Sequence, residues 1–288
     1  MEAWFILAAT AMLMYGVQNF MLKVAAHKDH NSIRVNTAFM LSATVVSGVF
    51  YVFAEPGVSG LLFLVFAAGN ALTYLFANIC KIESFKYTPV AIAAPLSKMY
   101  VAITPILAFF IFRERITLLQ LAGLTLATFT VLMLSEEGKR SGISRKHLTL
   151  GLVLAAAAAA STSFSNIIGK SAAITGGIMG FIFFSYMLGF LLALFLQVTV
   201  NKDRNPIKHL IEDHEAVRLG IITGLINFAA YYLALKALTE GPAMIIFPII
   251  GLGLVITIGL AAWIYGEKLT KQKMIAAAAA VAAIVLLR

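Results

Sequence analysis

Apolar runs long enough to cross a bilayer follow one another along almost the whole chain, and no other feature of the sequence constrains its fold as strongly. A hydrocarbon core of about 30 Å needs about 20 apolar residues of helix to span it. Ten segments meet or approach that length, at residues 3–25, 32–54, 59–82, 88–112, 117–135, 148–170, 176–200, 217–237, 242–265 and 271–287. Hydrophobic residues make up 61% of the 288, and charged ones 12%, about half the charged share of an ordinary soluble domain. The sequence therefore predicts an all-α membrane protein with ten transmembrane helices. The first segment carries Gln18, Asn19 and Lys23 and lacks a short apolar core followed by a cleavage site, so it reads as a retained helix and not as a signal peptide.

The net charge of +9 does not point to nucleic acid, because the Lys and Arg residues lie mostly in the short gaps between apolar runs. They read as topology signals. Cys80 is the single cysteine, which precludes an internal disulfide. His27, His30, His147, His209 and His214 fall in the connections, with no metal-ligand spacing. No metal or cofactor is expected.

The stretch "SEEGKRSGISRKH" at 135–147 divides the chain into two halves of five helices. Shifting the sequence by 153 residues places Pro89 on Pro242, Pro95 on Pro248, Glu114 on Glu267, Arg115 on Lys268 and Thr117 on Thr270. The first helix of each half matches at a shift of 147, where Tyr15, Asn19 and Lys23 fall on Thr162, Asn166 and Lys170. This is an internal repeat. Its units are 1–135 and 148–288, with a linker at 136–147. Five is odd, so the second unit enters the membrane in the opposite sense. Such inverted repeats place a solute site between the halves near the bilayer midplane.

The pair "RERIT" at 113–117 and "GEKLT" at 266–270, each closing a proline-bearing fourth helix, resembles the drug/metabolite transporter superfamily, specifically its EamA-like ten-helix members. "NFMLK" and "NIIGK", which end helices 1 and 6, are similar to the family's pattern of a Lys closing the first helix of a half. The resemblance covers essentially the whole chain. It implies export or exchange of small metabolites, often amino acids, through a central cavity lined by both halves. The motif itself also has a local structural reading: Thr117 and Gln120 have the spacing of a capping box at the start of helix 5, and Glu114 is placed to pair with cations. Thr270 has Lys273 where the Gln would stand, so the second box is incomplete.

Solute contact is expected where polar side chains lie deep in the membrane, since each costs free energy there unless it faces protein or a watery cavity. Helix 3 carries Asn70, Tyr74 and Asn78 four residues apart, and helix 8 carries Asn227 and Tyr231. At the 153 shift Tyr74 meets Asn227 and Asn78 meets Tyr231, so the pair is kept with its order exchanged. Lys98, ten residues into the expected fourth helix, is placed about 15 Å deep. Lys23 and Lys170 lie near helix ends, where snorkelling is ordinary. The expected solute-binding set is Lys98, Asn19, Tyr74, Asn78, Asn166, Asn227 and Tyr231.

All the glutamates within or beside the helices fall at helix ends, so the cavity suits an anionic or zwitterionic solute better than an organic cation. Pro95, Pro105, Pro248 and Gly251 interrupt helices 4 and 9 and are candidate hinges. No helix supplies a nucleophile with a base or paired metal ligands, which argues against an enzyme. The expectation is a secondary transporter of a small metabolite, with a multidrug exporter, a nucleotide-sugar carrier of the same superfamily or a channel as alternatives. Its partners are the small solute and the lipid bilayer of the plasma (inner) membrane, and as a fused two-repeat unit it is expected to act as a monomer. The charge count, with Lys139, Arg140, Lys202 and Arg204 on one side, puts both termini outside the cytoplasm. The resemblance implies termini inside.

Overall fold

The computed structural model describes residues 2–53, 61–88, 93, 96–133, 145–200, 213–265 and 270–287, and every regular element among them is helical. Pro89, Pro95, Glu267, Lys268 and the linker at 136–147 lie outside the described residues. In chain order the helices are α1 (Ala3–His27), α2 (Ser32–Phe53), α3 (Leu61–Tyr87), α4 (Tyr100–Phe112), α5 (Leu118–Met133), α6 (Arg145–Thr175), α7 (Ile178–Thr199), α8 (His214–Glu240), α9 (Ala243–Gly251), α10 (Gly253–Tyr265) and α11 (Lys271–Leu287). Among the described residues, seven spans are long and apolar enough to cross a membrane: α1, α2, α3, α6, α7, α8, and α9 with α10 together. Their outer surface is apolar as well. Phe53, Leu118 and Trp263 are each more than 80% exposed, a surface that suits lipid and would drive aggregation in water.

Two expected segments are broken. The segment read as 88–112 is helical at Ala93, Leu96 and Ser97 and again at Tyr100–Phe112, with Lys98 and Met99 in a turn between them. Its bonds run three residues apart, Val101 N donating to Lys98 O at 2.9 Å and Ala102 N to Met99 O at 3.0 Å, tighter than the α-helical step. The ninth segment breaks at Leu252, whose N–H is shared between Pro248 O at 3.2 Å and Ile249 O at 3.1 Å. Pro248, one turn earlier, has no N–H to donate to Met244 O, which weakens the ladder within α9 itself. Of the candidate hinges, Pro248 and Gly251 adjoin this break, while Pro105 sits inside the unbroken α4.

The two halves of the chain are interlocked. α3 packs along α6 and α1 along α8; α2 lies against α8 and α3 against α7; and α2 meets α7, α4 meets α9 and α5 meets α11. Each contact joins the first half to the second. Lipid tails are as apolar as the helices, so close packing of small residues holds such a bundle together. At the crossing of α1 and α10 a Cβ on Gly16 would stand 2.5 Å from Ile256 Cβ and 2.7 Å from Gly253 O. Only glycine fits there, and Thr257 Oγ1 ties the crossing by donating to Gly16 O at 2.9 Å.

Gly16→Ala is therefore expected to push α1 and α10 apart and to cost about 1–3 kcal/mol, read as a lowered unfolding midpoint in detergent. Gly259→Ala is the control. A Cβ at Gly259 meets nothing within 4 Å, so that variant should match or exceed the parent.

Candidate functional site

Polar residues from four helices meet in one cavity between the halves. α1 contributes Tyr15, Gln18 and Asn19; α3 contributes Tyr74, Asn78 and Lys81; α6 contributes Thr162, Ser165 and Asn166; α8 contributes Tyr231. Lys98 and Tyr100 enter from the turn before α4 and its first residue, and Phe247 and Ile250 of α9 supply apolar wall. Within each helix the spacings of three, four or seven put these side chains on one face. The cavity offers about 50 Å³ to water centres, and one water needs roughly 10–15 Å³ by that measure. It has room for several waters or a small polar solute.

Side chains behind the wall hold the lining in place. Asn227 Nδ2 donates to Tyr74 OH at 2.6 Å, and Asn227 Oδ1 accepts from Tyr186 OH of α7. Gln18 Nε2 donates to the same Tyr74 oxygen at 3.3 Å. On the other side Asn70 Oδ1 accepts from Ser165 Oγ at 2.7 Å and from Tyr231 OH at 3.2 Å. The Tyr74 and Tyr231 rings stack with centroids 6.2 Å apart and planes 14° from parallel. Asn166 Nδ2 reaches Thr104 Oγ1 at 3.3 Å, and Asn19 Nδ2 bonds back to Tyr15 O at 2.6 Å. Lys98 Nζ lies 3.4 Å from Tyr100 OH and 5.3 Å from that ring's centroid, within cation–π reach.

Six of the seven residues expected to bind solute, Lys98, Asn19, Tyr74, Asn78, Asn166 and Tyr231, line this one cavity. Asn227 does not. It is fully buried behind Tyr74, where it fixes that ring's hydroxyl. Sequence reasoning passed over Gln18, Ser165 and Lys81, although each falls on the face of a helix already marked by Asn19, Asn166 or Asn78. Nothing in the sequence singled out Tyr186, which sits among the apolar residues of α7. Among the described lining residues there is no Asp, Glu, His or Cys, so the arrangement offers no set of metal ligands. It presents ammonium, amide and hydroxyl groups, which suit an anionic or hydrogen-bonding solute.

Lys170 of α6 does not snorkel. Its Nζ donates to Leu238 O at 2.8 Å and Gly241 O at 2.9 Å, and stands 3.6 Å from Glu114 Oε1. The two Glu114 oxygens accept from Ala243 N and Met244 N at 2.9 Å each, satisfying N–H groups that the start of α9 leaves without helical partners. The Glu of "RERIT" thus clasps a helix of the other half. The Thr of the motif starts α5: Gln120 N donates to Thr117 Oγ1 at 3.2 Å and Thr117 N to Gln120 Oε1 at 3.0 Å, the expected capping box. At the second copy Thr270 Oγ1 accepts from Lys273 N at 3.3 Å.

A bundle with a lipid-suited exterior and a polar cavity enclosed between its halves defines the class of multi-pass membrane transporters. Residues 2–136 and 149–288 each match the EamA-like transporter family, and the chain belongs to that family. That family is part of the drug/metabolite transporter superfamily. A protein of Escherichia coli (strain K12) described as "Probable amino-acid metabolite efflux pump" is 32% identical over 170 residues, 57% of this chain. The match spans 52% of that protein, about half its length. One solved crystal structure superposes with a TM-score of 0.75 at 15% identity, covering 99% of this chain and 98% of the other; at that identity the likeness is one of fold.

Glu114→Gln should leave Lys170 without its counter-charge and cost roughly 3 kcal/mol, measured by unfolding in mixed micelles. Combining it with Lys170→Met should cost less than the sum of the two single changes by about 1 kcal/mol or more. Strict additivity would show that the pair does not couple.

Proposed function

We propose that the chain is a secondary transporter, an exporter or exchanger, of a small anionic or zwitterionic metabolite such as an amino acid, working by alternating access through the central cavity. Its architecture in this reading is ten transmembrane helices in two inverted five-helix repeats, 1–135 and 148–288. The pattern of helix contacts supports it: exchanging each helix with its counterpart in the other half turns the α3–α6 contact into α1–α8, and α2–α8 into α3–α7. The bond between Tyr74 and Asn227 adds to this, because the two residues are 153 apart, the shift of the repeat itself. Counterparts touch one another only beside the axis that relates them.

The single observation that carries the substrate reading is a buried lysine, Lys98, in a cavity with no Asp or Glu among its described lining residues. A lysine at the centre of a membrane span costs on the order of 3 kcal/mol to insert, and an anion bound beside a buried Lys98 lowers the cost of its burial. In this mechanism Lys98 meets the carboxylate of the solute. Asn19, Asn78, Asn166, Tyr74 and Tyr231 hydrogen-bond its remaining polar atoms, and Asn227 positions Tyr74. The break at Leu252, beside Pro248 and Gly251, gives α9 freedom to move against α10 as the cavity changes the side to which it opens. The name of the Escherichia coli relative accords with an amino-acid metabolite as solute.

The test is counterflow in proteoliposomes with a panel of labelled amino acids and organic acids. Saturable counterflow distinguishes a carrier from a pore. Lys98→Met should fold and insert but transport a carboxylate solute at least about tenfold less well, the size expected for losing a charge-assisted hydrogen bond. Unchanged uptake kinetics in that variant would refute the assignment of Lys98.

A further inference from the structure

Lys81 is a second lysine of the same cavity, and the mechanism above gives it no part. It follows Asn78 by three residues on the face of α3 that carries Tyr74. It is 9% exposed and makes no ion pair among the described residues. α3 continues to Tyr87, another six residues and about 9 Å of rise, so Lys81 is set back from the helix end. Lys86 on the same helix shows the contrast: its Nζ pairs with Glu83 at 3.3 Å and Asp29 at 3.5 Å.

The repeat does not supply a balancing charge. At the 153 shift the counterparts of Lys81 and Lys98 are Ala234 and Gly251, so both cations come from the first half and face a second half that is neutral at those positions. Asn78 shares the lining with both, and its amide nitrogen is buried there. Two lysine amines in one enclosure, with no Asp or Glu among its described lining residues, make it rich in positive charge and in donors. A solute with one carboxylate neutralises one lysine and leaves the other buried with its charge unmatched.

We propose that Lys81 and Lys98 together select a small solute carrying two negative charges, with Lys81 setting the preference for the second charge. This inference rests on the transporter reading above and names the solute class for that same cavity. Two carboxylates and one phosphate monoester share the required chemistry, and matched pairs of solutes separate them.

The experiment measures uptake by the full chain in proteoliposomes for glutamate against glutamine, and for phosphoserine against serine. Each pair differs at one end by its charge. At least one charged member should be taken up with a half-saturation concentration about tenfold or more below that of its neutral-ended partner. Preference for glutamate assigns a second carboxylate, and preference for phosphoserine alone assigns a phosphate. Lys81→Met should bring the ratio to within about twofold, and Lys81→Arg should restore it, a response that a packing role would not give. Saturable uptake with no preference within either pair overturns the inference while leaving the transporter reading in place. A preference that survives in Lys81→Met overturns the role of Lys81. Absence of saturable uptake for all four solutes overturns the inference, and the wider panel of amino and organic acids then tests the transporter reading by itself.

Discussion

A polar group in the hydrocarbon of a bilayer finds its partner inside the protein or goes without one, and the bond between Asn227 and Tyr74 is where this constraint organises the molecule. The amide of one half holds the phenol of the other at 2.6 Å, with Tyr186 and Gln18 completing the pair. Asn70 does the same for Ser165 and Tyr231. These bonds cross between α1, α3, α6, α7 and α8, so the side chains around the cavity fix which helix faces which. The cavity is a consequence of that convergence, since polar faces gathered to satisfy one another cannot fill the space as apolar side chains would.

Around this centre the apolar packing is tight and the ends are clamped. Gly16 and Gly253 bring α1 and α10 to backbone contact. Glu114 and Lys170 pin the start of α9 to α6. A span held at its first turn and broken at Leu252 has one fixed end and one break, which accords with the proposed movement of the cavity wall. Phe247 and Ile250, the wall residues of α9, lie between clamp and break.

Most of the helices were legible in the sequence because a 20-residue apolar run has few other uses; α1, α2 and α11 begin and end within two residues of expectation. The capping box at Thr117 was legible because its two bonds are local. What failed depended on tertiary context. Lys98 was expected ten residues into a helix that Pro95 and Pro105 interrupt, but neither the prolines nor hydropathy marks a tight turn at Lys98 and Met99 themselves. Lys170 was read as a snorkelling lysine because proximity to a helix end is visible, whereas the carbonyls of Leu238 and Gly241 and the carboxylate of Glu114 arrive from distant sequence. Asn227 carried the same signal as Asn78, an amide on a marked helical face, and only packing decides which of the two lines the cavity and which stands behind it. Lys81 was missed for the same reason that Lys170 was misread.

The central claim is that two oppositely inserted halves share one cavity, and sidedness tests it most directly. Cys80 is buried and the single native thiol, so Cys80→Ala gives a background for placing one cysteine at a time. Arg115 and Lys271 are exposed and follow the fourth and ninth spans, which inverted halves put on opposite faces of the membrane. A membrane-impermeant maleimide applied to intact cells should label Arg115→Cys or Lys271→Cys but not both, with the silent position labelled once the membrane is opened. Labelling of both from the same side would contradict the inverted architecture.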